Sequence, residues 1–239
     1  MHWDEKVMTH EHTDRSYERA LQEIREHVQR MGTQVCGMLT RTMHALIAGD
    51  RDSATATIAA DKTVNSMEVE TDEMCMAILA RRQPVASDLR FIAAALKLDT
   101  DLERIGDLCA NACERIIQLQ EEDLDVEIVA RFSDIGARVH TMIENAVRAF
   151  VTGDAVLAEA VMSADQVIDK AYAHISGFLI VRMRQRPDSL ADATQLLSIA
   201  KYLERMGDHA SNLAEMVIFM VEGRDVRHPG RLEAAGATN

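Results

Sequence analysis

Aromatic residues make up only 4% of this 239-residue chain, prolines number three and glycines eleven. So little turn-making and aromatic material leaves long uninterrupted stretches dominated by Leu, Ala, Met, Ile, Arg and Glu, the palette of an all-helical protein. Basic charge is also short. A formal net charge of -13 repels phosphate backbones and anionic lipid surfaces, which argues against nucleic-acid binding and against a basic lipid-binding face, while suiting cations or a basic partner. Long apolar runs are missing as well: Met1-His2-Trp3-Asp4-Glu5-Lys6 does not open a signal peptide, and the run from Met216 to Val221 is far too short to span a bilayer. A cytoplasmic protein without direct membrane insertion is expected. Cysteine is absent from the whole second half; Cys36, Cys75, Cys109 and Cys113 all lie in the first, so no disulfide framework serves both halves. Cys109 and Cys113 share a helix face with Ile105, Ala112 and Ile116, which reads as buried thiols, with redox or metal roles as the alternative.

What is present is periodicity and repetition. Apolar steps of three and four residues run from residue 17 to 48 until Gly49-Asp50 stops them; a second helix is expected over 51–82 and a third over 88–120, with Pro84 between them and Ser87 as its N-cap. The pattern then recurs, with a fourth helix ending near Gly153-Asp154, a fifth near Arg186-Pro187 and a sixth near Gly223. The acidic stretch Glu121-Glu122-Asp123-Leu124-Asp125 is the expected joint. Helices of about 30 residues are roughly 45 Å long and, joined by tight turns, must lie side by side. The sequence therefore predicts an all-α fold of two tandem three-helix bundles, over residues 17–122 and 126–223, flanked by tails at 1–16 and 224–239.

The clearest mark of duplication is Glu103-Arg104-Ile105-Gly106-Asp107, which returns as Glu204-Arg205-Met206-Gly207-Asp208, each copy followed by Asn and Glu at Asn111 and Glu114 or Asn212 and Glu215. At 100° per residue, Asp107, Asn111 and Glu114 fall within about 80° of Glu103, opposite the apolar side of the helix. A solvated amphipathic face explains any one of these acids. The whole set is repeated in register, however, and helix two adds a row at Asp61, Asn65, Glu68 and Asp72, while helix five has Asp165 and Asp169. Two neighbouring rows would form an open surface pad of oxygen donors. Carboxylates at this density either gain protons or hold a cation. Oxygen donors without thiolate or imidazole favour Mg, Mn or Fe, with Zn also able to bind. Gly106 and Gly207, costly in mid-helix by roughly 1 kcal/mol, point to close approach of a neighbouring helix. His209, whose counterpart is Leu108, reads as an interfacial or core residue, His10 and His12 as chance, and the methionines as core filler.

With these residues in view the sequence resembles the PhoU family of bacterial phosphate-transport accessory proteins. The resemblance rests on Asp61-Lys62-Thr63-Val64-Asn65-Ser66-Met67-Glu68, on Ala80-Arg81-Arg82-Gln83-Pro84-Val85-Ala86-Ser87-Asp88-Leu89-Arg90, on both Leu-Glu-Arg-(Ile/Met)-Gly-Asp motifs, and on Arg227-His228. It implies a homodimer of tandem three-helix bundles with multinuclear sites for divalent or ferric ions on adjacent helices. One site would use Asp61, Asn65, Glu103 and Asp107, and the other Asp165, Asp169, Glu204 and Asp208, with Asn65 weakening the first. It also implies a non-enzymatic adaptor linking the ATPase subunit of the phosphate ABC transporter to the sensor histidine kinase of the phosphate regulon, and holding that kinase silent when phosphate is plentiful. The competing class is a metal buffer or a metalloenzyme, either a metal-dependent phosphohydrolase or a di-iron bundle. Di-iron bundles use Glu-x-x-His, and here Gly106 and Gly207 stand three residues beyond the glutamates.

Overall fold

The structure, a computed structural model, describes residues 4–120 and 124–226, with side chains from residue 15 onward. Six long helices carry the chain: α1 (Asp4–Ala48), α2 (Arg51–Arg81), α3 (Ala86–Ile117), α4 (Val126–Thr152), α5 (Ala155–Gln185) and α6 (Leu190–Glu222), with one turn of 3₁₀ helix at Pro187–Ser189. The all-helical expectation of two repeats holds. Two boundaries differ from it. Helix α1 starts at Asp4, taking in most of the segment read as an N-terminal tail, because no glycine or proline interrupts the chain there. The N-cap of α3 is Val85, without a side-chain hydrogen bond, and Ser87 lies inside the first turn. Pro84 holds the preceding backbone extended, so the helix starts as soon as the chain leaves it. The expected signature Arg227-His228 lies outside the described residues.

The repeats are built alike at their first turns. Gly49 and Gly153 adopt φ of 66° and 67°, a left-handed conformation that a Cβ disfavours. The next residue in each case caps a helix: Asp50 Oδ1 accepts from Ser53 N and Asp154 Oδ1 accepts from Leu157 N, both at 2.9 Å.

Within each repeat the three helices all touch one another, and α2 and α5 touch helices of their own repeat alone among the described residues. The repeats meet through α3 against α6 and α1 against α4. The α1–α4 crossing shows the internal two-fold directly. A Cβ on Gly32 would lie 2.6 Å from Val147 Cγ2, and one on Gly136 would lie 2.8 Å from Met43 Sδ; Gly32 and Gly136 are equivalent positions of the two repeats, as are Met43 and Val147. At the joint, Asp125 caps α4 through Ile128 N and pairs with Arg182, while Asp192 of α6 accepts from Gln120 N at 2.9 Å. The core runs through both repeats without a break and includes Cys75, Cys109 and Cys113, all fully buried. None of the four cysteines is in a disulfide. Burial, helped by the charges of Asp99 and Asp72, pushes the Cys75 thiol up to about 12, so these sulfurs pack as thiols.

Candidate metal centre

The seam between α2 and α3 is set by Gly106. A Cβ there would stand 3.3 Å from Val64 Cγ1 and 3.4 Å from Asp61 Oδ1. The glycine thus lets α2 close onto α3 and brings Asp61 and Asn65 level with Glu103 and Asp107. Gly207 does the same between α5 and α6, where its Cβ would meet Ile168 Cγ2 at 3.2 Å. Close helix approach is therefore what offsets the propensity cost of both glycines.

This closeness corrects the expectation of open surface pads for part of the set only. The Glu103 and Glu204 side chains are only 15% and 12% exposed, and Asp61, Asn65, Asp107 and Asp165 are half-buried, whereas Asp169 and Asp208 stay exposed. A helical wheel gives a direction relative to a helix's own core, and here that direction is occupied by the neighbouring helix. The rows also divide. Asn212 turns from the α5 seam towards α3, donating to Asp101 Oδ1 at 3.4 Å, and Glu215 joins it in a pocket with Lys97 and Thr100, whereas Asn111 and Glu114 face solvent.

In the first seam, Asn65 Nδ2 donates to Asp61 Oδ2 at 3.3 Å. Asp61 Oδ1, Asn65 Oδ1 and Glu103 Oε2 are buried without a hydrogen bond. Arg104 neutralises part of the set, with Nη1 3.1 Å from Asp107 Oδ2 and Nε 3.5 Å from Glu103 Oε2. Burial, and after it the charge of Asp107, raises the carboxyls of Asp61 and Glu103.

In the second seam Asp169, Glu204 and Asp208 each offer an oxygen, all within 4.8 Å of one another. They are the one such group of three or more metal-binding side chains among the described residues. Asp165 lies beside them. Burial, then the charges of Asp169 and Glu204, raises its carboxyl, and burial followed by Glu204 and Asp165 raises that of Asp208. Lys201 Nζ stands 2.6 Å from Glu204 Oε1 and over the ring of Tyr172. Orphaned oxygens in one seam and converging carboxylates in the other both fit a hard, oxygen-bound cation.

His209 is interfacial: its Nδ1 lies 2.7 Å from Asp101 Oδ1 across the α3–α6 boundary. Sequence reading missed Asp99 of α3, which is fully buried. Its Oδ1 accepts from Thr100 N at 2.7 Å, and its Oδ2 has no partner. Burial, joined by the charges of Asp72 and Glu68, pushes its carboxyl up to about 8. The signal was present, because Asp99, Glu103 and Asp107 are spaced by four.

The PhoU domain family matches residues 28–116 and 132–217, once in each repeat. A phosphate-specific transport system accessory protein PhoU homolog of Pseudomonas aeruginosa is 38% identical over 223 residues, covering 93% of this chain and 92% of its own. The phosphate-specific transport system accessory protein PhoU of Serratia marcescens is 32% identical over 226 residues, covering 95% and 93%. The crystal structure of PhoU from Pseudomonas aeruginosa superposes with a TM-score of 0.83 at 37% identity, over 87% of this chain and all of that one. The phosphate transport system regulatory protein PhoU from Streptococcus pneumoniae does so at 0.82 and 28%, over 88% and 99%. With both halves matched and six helices in the same arrangement, the chain belongs to the PhoU family.

Proposed function

We propose that this protein is an accessory regulator of phosphate-specific transport, an adaptor between the ATPase subunit of the phosphate ABC transporter and the sensor histidine kinase of the phosphate regulon. The observation that carries this reading is likeness over nearly the full length of both partners to relatives named phosphate-specific transport system accessory proteins. In this reading the protein works in the cytoplasm, as a homodimer and without catalysis, and keeps the kinase in its non-signalling state when phosphate is plentiful. No helix among the described residues is long and apolar enough to cross a membrane, which suits recruitment by partners. The two seams hold divalent or ferric ions, Asp61, Asn65, Glu103 and Asp107 at one and Asp165, Asp169, Glu204 and Asp208 at the other. Support comes from the orphaned oxygens of the first seam and the converging carboxylates of the second. The test is a pull-down with the full chain from phosphate-replete cells. Recovery of the kinase and the transporter ATPase is expected, and recovery of neither overturns the adaptor reading. If Glu204→Ala/Asp208→Ala loses bound metal yet still represses the regulon, the metal is not the signalling element.

A further inference from the structure

The two outer helices occupy equivalent places in the repeats and present opposite charge. Among the described residues α2 touches only α1 and α3, and α5 only α4, α6 and the 3₁₀ turn, so each leaves one face without a neighbour. The equivalent stretches of the two are 66–80 and 170–184. Exposed positions of the first carry Glu70, Asp72 and Glu73 and no cation. Those of the second carry Lys170, His174 and Arg184 and no acid, in a chain whose net charge is -13. Both faces are also apolar: Val69 and Met76 are 55% and 59% exposed on α2, and Ile180 and Val181 are 52% and 50% exposed on α5. At Gly177, the counterpart of Glu73, a Cβ would meet nothing within 4 Å. The face of α5 therefore has a dip there, flanked by Ala173, Ile180 and Val181 from the adjacent turns.

We propose that the outer face of α5 docks against the outer face of α2 of a second copy of this chain. This contact would account for the self-association proposed above, and it rests on that reading. Exposed aliphatic side chains on a helix that nothing covers mark a surface of association. Charge then selects the partner. Pairing α5 with α5 would set Lys170 and Arg184 against their own kind, and pairing α2 with α2 would do the same with Glu70, Asp72 and Glu73. Laid on each other, the two faces are complementary, and His174 adds to the attraction when protonated. Met76 is unbranched and adaptable and can enter the dip at Gly177. The repeats meet through α1 against α4 and α3 against α6, which leaves α2 and α5 on opposite edges of the molecule. The contact is therefore heterologous: a joined pair still offers a free α2 at one end and a free α5 at the other. A dimer is its first step, and association continues as concentration rises.

The test is sedimentation velocity on the full chain over a concentration series at low ionic strength. Wild-type mass should climb past that of a dimer as concentration rises. Lys170→Glu/Arg184→Glu reverses the α5 face and Glu70→Lys/Glu73→Lys reverses the α2 face, and each should weaken association by about tenfold or more. An equimolar mixture of the two variants pairs each reversed face with its complement and should restore association. A variant that associates as the wild type does, or a mixture that restores nothing, overturns the contact. A wild type that remains a dimer at every concentration overturns it too while leaving the homodimer reading intact, and one that remains a monomer overturns both. Should a charge variant fail to fold by circular dichroism, Gly177→Leu, which fills the dip without changing a charge, replaces it with the same expected loss; unchanged association then overturns the contact.

Discussion

In the second repeat three carboxylates converge within ligand spacing and a lysine lies against them. In the first, neutral Asn65 stands where the second has Asp169, an arginine reaches Glu103 and Asp107 from outside, and a further acid, Asp99, is buried without a cationic partner. The scaffold holding them is the same, with glycines at 106 and 207 admitting Val64 and Ile168 and the same capped turn at Asp50 and Asp154. Duplication fixed where carboxylates stand. How their charge is compensated has diverged, through Lys201 in one repeat and Arg104 in the other.

The largest consequence of that difference is the pH dependence that Asp99 adds, for which the second repeat has no titratable counterpart. An aspartate in an unfolded chain titrates near 3.8, whereas Asp99 in the fold titrates at about 8. Below about 4 both states hold the proton and the buried acid costs nothing extra. Between the two values the folded protein keeps a proton that the unfolded chain has released, so stability falls as pH rises, by up to about 1.4 kcal/mol per pH unit. Above about 8 both are ionised and the loss is complete. In urea unfolding at pH 5, 6 and 7 with chelator present, Asp99→Asn should decline less steeply than wild type. Parallel lines would show that the acid is compensated by something other than a proton. Ala200, its counterpart, provides nothing to titrate.

Next in size is the contrast in cation binding. Converging ligands need little rearrangement, so Glu204→Gln/Asp208→Asn should weaken the second seam for Mn²⁺ by about 100-fold, near 2.7 kcal/mol. The first seam, with neutral Asn65 in the place of Asp169, should lose roughly tenfold with Glu103→Gln/Asp107→Asn. Equal losses measured by calorimetry would mean that the exchange of Asp169 for Asn65 does not decide affinity.

The six helices and their pairing into repeats were legible because glycine, proline and capping aspartates interrupt an otherwise continuous 3.6-residue pattern at matching places. The acidic motif was legible by its duplication. What a neighbouring helix does to a face was not, because Glu103 and Glu204 look solvent-facing on a wheel until α2 and α5 are laid beside them. Asp99 was passed over for a related reason: taken alone it is another acid in an acidic helix, and only its place against α2 shows that it is buried. Asn212 departed from its row for a third, since α6 has a different neighbour on each side, α5 against Asp208 and α3 against Asn212.

The α1–α4 crossing allows the two-fold to be tested without the acids. A methyl on Gly32 would fall 2.6 and 2.8 Å from the two γ-carbons of Val147, and one on Gly136 would fall 2.8 to 2.9 Å from Met43 Sδ, Cε and Cγ. Valine on a helix is stiff at χ1, whereas methionine has three rotatable bonds with which to move aside. Alanine gains about 1 kcal/mol in helix propensity over glycine at either site, and overpacking costs typically 1–3 kcal/mol where the neighbour cannot move. Gly32→Ala should therefore lose up to about 2 kcal/mol, and Gly136→Ala should stay within about 0.5 kcal/mol of wild type. Thermal melts that rank them in reverse would show that backbone spacing, not side-chain stiffness, sets the tolerance.

The smallest effect belongs where the repeats are the same. Asp50 and Asp154 each accept one backbone N–H at 2.9 Å after a left-handed glycine, and loss of such a cap costs about 1 kcal/mol. A titratable side chain near the first cap is His44, whose Nδ1 lies 3.7 Å from Asp50 Oδ2 with 62% of its side chain exposed. An exposed pair of this kind contributes no more than a few tenths of a kcal/mol, and only with the histidine protonated. At pH 8 Asp50→Ala and Asp154→Ala should therefore destabilise about equally, by about 1 kcal/mol each. A gap above about 0.5 kcal/mol at pH 8 would mean that the divergence between the repeats reaches beyond the carboxylate seams into the turns that frame them.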